Sequence, residues 1–347
     1  MTDTRIAAIT AKPFDTPLHN PFVTSQATSH AARGVAIEFT LPDGRIGRGE
    51  SVPVRYVTGE CAETVTELVN HIAAELVGLD AAHFGRVWKQ IAALTHAAPS
   101  AKCGLEMAAL DAWTQIRGVA LSDLWGGALD SAETDITIPI VPNAAELTEL
   151  AWGLGIRVFK IKVGDTDFDA DMARIEAVRQ AAPEARLRVD ANQAFTVESA
   201  VVFAQKLVDC GAKVDFLEQP VPRDDFDGLA QIAERSPLPI FADESIRSPA
   251  DALRLAPTAV HGYNCKINKS GISGVLDIIA IAKAANKKLM LGCMLETRRS
   301  IAVSLALACG TGAFDYLDLD SHLLLNEPGE NPFFEQEGGR IIVRKDE

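Results

Sequence analysis

VFKIKV (158–163), RLRVDA (186–191), VDFLEQ (214–219) and PIFADE (239–244) decide the fold, because each is a short apolar run that carries a lysine or a carboxylate at its end. The segments between them have helical spacing. DMARIEAVRQAA repeats Met172, Ile175 and Val178 on one face, and ESAVVFAQKLVDCG is closed by Gly211 where a helix C-terminus is expected. The same rhythm includes TDITI (134–138) before these runs and GYNCKI (262–267), KLMLGC (288–293) and FDYLDL (314–319) after them. Eight strands alternating with helices predict an α/β chain folded as a (β/α) barrel. An open doubly wound sheet is disfavoured, since no GxGxxG follows any strand.

Upstream the pattern differs. IAAIT and VAIEFTL, the two-residue turn Asp43-Gly44 and RIGRGE read as antiparallel strands within the first 60 residues. From about 61 to 118 the spacing is helical, with Leu105, Ala109, Ala112, Trp113 and Ile116 on one face and Gly118 as the stop. Strands followed by helices suggest an α+β unit over residues 1–120, with the barrel over 121–324.

The formal charge of −14 excludes a nucleic-acid or anionic-membrane partner, which it would repel at long range. Six cysteines form no CxxC pair and MTDTRIAAIT shows no signal-peptide pattern, so a reducing, cytoplasmic setting is expected. The most apolar long stretch, VLDIIAIAKAA, is broken by Asp277 and Lys283 and reads as a buried helix. Seven dispersed histidines without HExxH or HxH exclude a zinc site. A small-molecule substrate and a homo-oligomeric assembly are expected.

Asp190, Glu218 and Asp243 end three consecutive strands, so they can converge at the C-terminal mouth of a barrel. Three oxygen ligands without histidine or thiolate select Mg²⁺, with Mn²⁺ as a substitute; the competing reading is helix caps and ion pairs. Lys160 and Lys162 alternate with Phe159, Ile161 and Val163, which puts both ammonium groups on the interior face. Lys266, four strands further round, faces Lys162 across the lumen. Burial near a cation is expected to depress the lysine pKa values, as a general base requires. Such geometry suits removal of a proton α to a carboxylate through a metal-stabilised enediolate.

On KIKVG, DANQAF, EQP, ADES and CKINKSGISG the chain resembles the enolase superfamily, in its muconate-lactonizing-enzyme subgroup, over nearly its whole length. The resemblance implies a (β/α)7β-type TIM-like barrel with an α+β capping domain to which residues 325–347 return. Branches with a histidine base on the seventh strand are excluded by LGCMLET. FDYLDLDS is similar to the Asp-x-Asp motif of dipeptide epimerases and implies that Asp318 and Asp320 bind a dipeptide's free α-ammonium. It further implies Lys162 and Lys266 as the two bases, Lys160 at the substrate carboxylate, and Glu296 shaping the site or pairing with Arg298. Asn192, Glu244 and Lys269 are expected to support the ligands. Two cap loops, Pro17–Ser29 and Ser51–Gly59, would select side chains through Phe22, Thr24, Ala27, Arg55 and Tyr56. Ala27 stands where Ala-Glu epimerases carry an arginine, which argues against that dipeptide. The alternatives are an N-acylamino-acid racemase, an o-succinylbenzoate synthase, a muconate-type cycloisomerase, a Schiff-base lysine aldolase and an inactive binding barrel.

Overall fold

A computed structural model describes residues 3–164 and 168–344. Met1 and Thr2, and the last three residues of the 325–347 segment, lie outside the described residues. The chain opens with β1 (Ala8–Val23), β2 (Thr28–Thr40) and β3 (Ile46–Ser51), an antiparallel sheet in that order. There follow the short α1 (Arg55–Thr58), then α2 (Ala62–Leu76), α3 (Phe84–Leu94) and α4 (Pro99–Arg117). Val35, Ile37 and Phe39 of β2 share one core with Val65, Val69, Ile72, Val87, Ile91 and Leu105 from the helices, as the alternating and helical patterns require. β3 rests directly on α4. At Gly49 an added Cβ would stand 1.9 Å from the carbonyl oxygen of Gly104, so only glycine permits this approach.

One expected loop is instead strand. Residues 17–23 continue β1, with Pro17 opposite Ala31, Phe22 opposite Ser29 and an irregularity between them. β1 is an edge strand, where proline's missing N–H costs no ladder bond, so PLHNP is tolerated in the sheet. The tip is confined to Thr24–Ala27, closed by the Thr24 N–H donating to Ala27 O at 3.0 Å.

After α5 (Leu121–Leu124) and β4 (Ser131–Glu133) come the barrel strands β5 (Ile136–Ile138), β6 (Val158–Lys162), β7 (Arg186–Asp190), β8 (Val214–Glu218), β9 (Ile240–Ala242), β10 (Gly262–Cys265), β11 (Lys288–Gly292) and β12 (Tyr316–Asp318). They alternate with α6 (Ala144–Gly153), α7 (Phe168–Ala181), α8 (Val197–Asp209), α9 (Phe226–Arg235), α10 (Pro249–Leu255), α11 (Ile267–Ser270), α12 (Ile272–Ala284) and α13 (Arg298–Thr311). The parallel order runs unbroken from β5 to β12, and a parallel bridge from Thr134 to Leu317 joins the two edges. All eight predicted strands are present and each is shorter than expected, seven of them ending before the predicted C-terminal residue, where the strand-end polar groups turn to the site.

Ile161, Val189, Leu217 and Leu291 belong to the large core between strands and helices. The lumen is closed beneath its polar end by Phe216, Phe241, Met290 and Tyr316, with Phe216 and Phe241 stacked at 4.1 Å and Arg188 5.0 Å from the Tyr316 ring. Gly262 leaves room for this floor, since a Cβ there would lie 2.4 Å from Phe241 Cζ.

The chain ends in α14 (Ser321–Leu324), β13 (Phe334–Glu337) and β14 (Arg340–Val343). Residues 325–347, expected to return to the capping unit, begin that way: Leu325 bridges Leu18 and the Asn326 N–H donates to Pro17 O. The hairpin then departs from the expectation. β14 pairs with β4, and Phe334 and Ile341 join the barrel core, which removes both apolar side chains from water. No helix among the described residues is long and apolar enough to cross a membrane.

Candidate active site

Side-chain direction in a strand alternates, so the last inward positions of β7 and β8 bring Asp190 and Glu218 side by side, in register. Asp243 follows the end of β9. One carboxylate oxygen from each of the three lies within 4.8 Å of the others, and all three are buried. Lysines surround them. Lys162 Nζ donates to Asp190 Oδ2 at 2.6 Å, and Lys266 Nζ is 3.0 Å from Asp243 Oδ2. Lys160 Nζ sits deeper, 2.8 Å from Asp318 Oδ2, 2.9 Å from Glu218 Oε2 and 3.4 Å from Asp190 Oδ2.

Behind this layer, Lys269 Nζ donates to Asp243 Oδ1 and to the Asp243 carbonyl, each at 2.5 Å. The Asn192 N–H donates to Asp190 Oδ1 at 2.9 Å, while its side-chain amide donates to Glu244 Oε1 at 3.1 Å. Lys269 and Asn192 thus orient Asp243 and Asp190, and Glu244 holds the Asn192 amide.

The charges decide the protonation states. Burial pushes Glu218 up to about 8, with the Asp190 charge adding to it and Lys160 opposing. Burial also raises Asp190 and Asp243, but the lysines outweigh it and hold both below the usual carboxylate range. The expectation of depressed lysine pKa values is not met at Lys160 and Lys266. Burial lowers each, yet Asp318 and Glu218 around Lys160, and Asp243 against Lys266, hold both above the ordinary lysine value.

The donor set fits a hard dication. Glu218 Oε2, Asn192 Oδ1 and Glu244 Oε2 are buried oxygens that accept no hydrogen bond, Glu218 Oε2 meeting Lys160 only as an ion pair. Three converging carboxylates, with open acceptor capacity at Glu218 and at the neighbouring Asn192 and Glu244, suit Mg²⁺.

Above them opens a cavity of about 340 Å³. Lys162, Lys266, Asp318 and Asp320 all line it, with Lys162 and Lys266 on walls four strands apart in the eight-stranded barrel. Asp320 Oδ2 accepts the Thr137 N–H at 2.6 Å, and burial with the neighbouring Asp318 charge raises its carboxyl to about 6. Asp318 moves the opposite way: although burial opposes it, Lys160 holds it ionised. Two adjacent acids with divergent pKa values form a pocket that a cation would relieve.

Phe22, Thr24, Arg55 and Tyr56 line the outer wall, whereas Ala27 does not. Glu296 also stays out of the cavity lining. It is fully buried behind the loop, accepting from the Met294 N–H and Ser300 Oγ, and Arg298 pairs with Glu327 instead. A bond to its own loop satisfies this carboxylate locally, which the sequence spacing does not reveal.

Thr137 and Asn264 also belong to the site, though neither carries a charge that marks it in the sequence. Both lie two residues from a charged inward position, Asp135 and Lys266 respectively, and so share its face. Asn264 Nδ2 donates to Glu218 Oε1 at 2.6 Å. The buried pair Arg188–Asp135, which the strand pattern did not single out, is joined at 2.6 Å beneath the site.

Residues 6–126 match the family described as Mandelate racemase / muconate lactonizing enzyme, N-terminal domain, and residues 143–346 match Enolase C-terminal domain-like. An aromatic dipeptide epimerase of Herpetosiphon aurantiacus is 36% identical over 97% of this chain and 96% of its own length. The L-Ala-D/L-Glu epimerase of Thermotoga maritima is 37% identical over 93% of this chain and 94% of its own. A dipeptide epimerase of Enterococcus faecalis, solved with Mg and the dipeptide L-Leu-L-Tyr, superposes with a TM-score of 0.93 at 30% identity, covering 98% of both chains.

Proposed function

This chain belongs to the mandelate racemase/muconate lactonizing enzyme family of the enolase superfamily, and we propose that it is a Mg²⁺-dependent dipeptide epimerase. It is an isomerase that inverts the α-carbon beside the dipeptide's carboxylate. The observation that carries this reading is two charged regions at one cavity: carboxylates flanked by Lys162 and Lys266, and the acid pair Asp318 and Asp320, linked to them through Lys160. The first suits α-proton chemistry beside a carboxylate. The second suits a free ammonium group, which N-acylated amino acids lack.

Asp190, Glu218 and Asp243 would hold the metal, whose chemistry is to neutralise charge developing on the substrate carboxylate. Mn²⁺ is proposed as a working substitute. Lys162, as the free amine, takes the α-proton from one face, while the Lys266 ammonium returns a proton from the other. Their roles reverse for the opposite diastereomer, so no net proton is consumed. Lys160, fully buried and outside the cavity lining, keeps its positive charge among Asp318, Glu218 and Asp190 without exchanging a proton. Asp318 and Asp320 anchor the ammonium and set the α-carbon between the lysines.

The test is a dipeptide library incubated with the enzyme and read by chiral chromatography. Epimerised products are expected with Mg²⁺ or Mn²⁺ and none after EDTA. N-acetylation of the best dipeptide is expected to abolish most turnover. N-acylated amino acids turning over faster than free dipeptides would replace this reading with an N-acylamino-acid racemase, and turnover in metal-free enzyme would refute the metal's part.

A further inference from the structure

We infer that Arg223 is a positioning residue that holds α1 as the outer wall of the substrate cavity. Its Nη1 donates to Tyr56 O at 3.0 Å and to Val57 O at 3.2 Å, across 166 or more residues of sequence. These are carbonyls from a helix of only four residues, Arg55–Thr58, ended by Gly59 in the left-handed conformation. A single turn does not stand alone in water, and its last carbonyls have no partners within the helix. A guanidinium placed at that end supplies both hydrogen bonds and a favourable charge for the helix dipole.

What Arg223 holds is functional surface. Val54, Arg55, Tyr56 and Val57 all line the cavity, and the charges of Lys162 and Lys266 both reach the Tyr56 phenol.

Arg223 is in turn fixed to the ligand-bearing strand ends. Its backbone N–H donates to Gln193 Oε1 at 2.8 Å, and its carbonyl accepts from Ser245 Oγ at 2.8 Å. The Gln193 N–H donates to Gln219 O at 2.8 Å, and Gln219 Oε1 accepts from the N–H groups of Asp243 and Ser245. Gln193 and Gln219 both carry positive φ, at 72° and 34°, and follow Asp190 and Glu218 closely in the chain. Strained backbone of this kind persists where surrounding bonds over-determine it. The wall is therefore referenced to the same turns that place the three carboxylates, through one arginine.

The kinetic part of this inference rests on the dipeptide reading, and the exchange part does not. In R223A, amide hydrogen exchange over residues 52–59 is expected to speed up by about five- to tenfold, with the barrel strands unchanged. For dipeptides with large side chains KM is expected to rise by about five- to tenfold while kcat stays within about twofold, because binding common to ground and transition states is lost. Gly-Ala and Ala-Ala, whose side chains are too short to be expected at the wall, should keep their KM. Wild-type exchange over 52–59, or an equal KM rise for all dipeptides, would overturn the inference. Should R223A fail to fold, R223Q carries the same exchange comparison, where faster exchange supports the role and wild-type exchange refutes it. A wild-type enzyme that turns over no dipeptide would refute the proposed reaction, while the exchange comparison would still decide for or against Arg223.

Discussion

Asp320 has its carboxyl raised to about 6 by burial and by Asp318, so it changes charge within an accessible pH range. If it binds the substrate ammonium, its protonated form is the inactive one, and kcat/KM for a free dipeptide should fall as pH drops through about 6. In D320N that limb should disappear, with kcat/KM lower by about ten- to a hundredfold at neutral pH, the value of a charge-assisted hydrogen bond. A pH–rate series on both proteins checks this, and an unchanged limb in D320N would assign it elsewhere. The charged residues of the site were legible in the sequence because a lysine or carboxylate at an inward strand position has few structural uses. Thr137 and Asn264 were not, since an uncharged polar side chain on a strand carries no such cost, and Thr137 meets Asp320 through its backbone N–H. Glu296 misled for the opposite reason: its charge drew attention, while Ser300 and the Met294 N–H satisfy it behind the loop.

Among the elements, the barrel floor links fold to site. Phe241 stacks on Phe216 over Gly262 one layer below Asp243, so crowding there displaces the strand that carries this proposed ligand. G262A is expected to cost about 1–3 kcal/mol, seen as a lowered Tm, and to weaken Mg²⁺ binding in calorimetry. Unchanged values of both would show that the floor can give way. Period-two alternation made the strands readable, and regular spacing made the barrel readable. Strand geometry at the cap was less so, because the loop implied by the resemblance is strand here and prolines fit a strand only at an edge, which the sequence does not mark. The hairpin β13–β14 was also hidden, since whether its apolar residues meet cap or barrel is a tertiary choice with no local signal.

At the scale of the molecule, the C-terminal segment ties its elements together through His322. Its Nε2 donates to Gln336 Oε1 at 2.6 Å and its ring packs edge-on against Phe334. Burial lowers its pKa from 6.5 to about 4. A histidine depressed in the folded state binds protons more readily when unfolded, so its contribution is complete above pH 6.5 and lost as pH falls toward 4. That loss is about 3 kcal/mol, visible in denaturant midpoints, and H322Q should flatten the dependence. The proposed mechanism requires two lysines working from opposite faces of one α-carbon. The most direct measurement is exchange of the α-proton in D₂O with Mg²⁺, followed by mass for each diastereomer separately in wild type, K162A and K266A. Wild type should label both diastereomers, while each variant should lose epimerisation and label one diastereomer only, the two variants retaining opposite ones. Wild-type labelling of both diastereomers by both variants would contradict the two-base assignment.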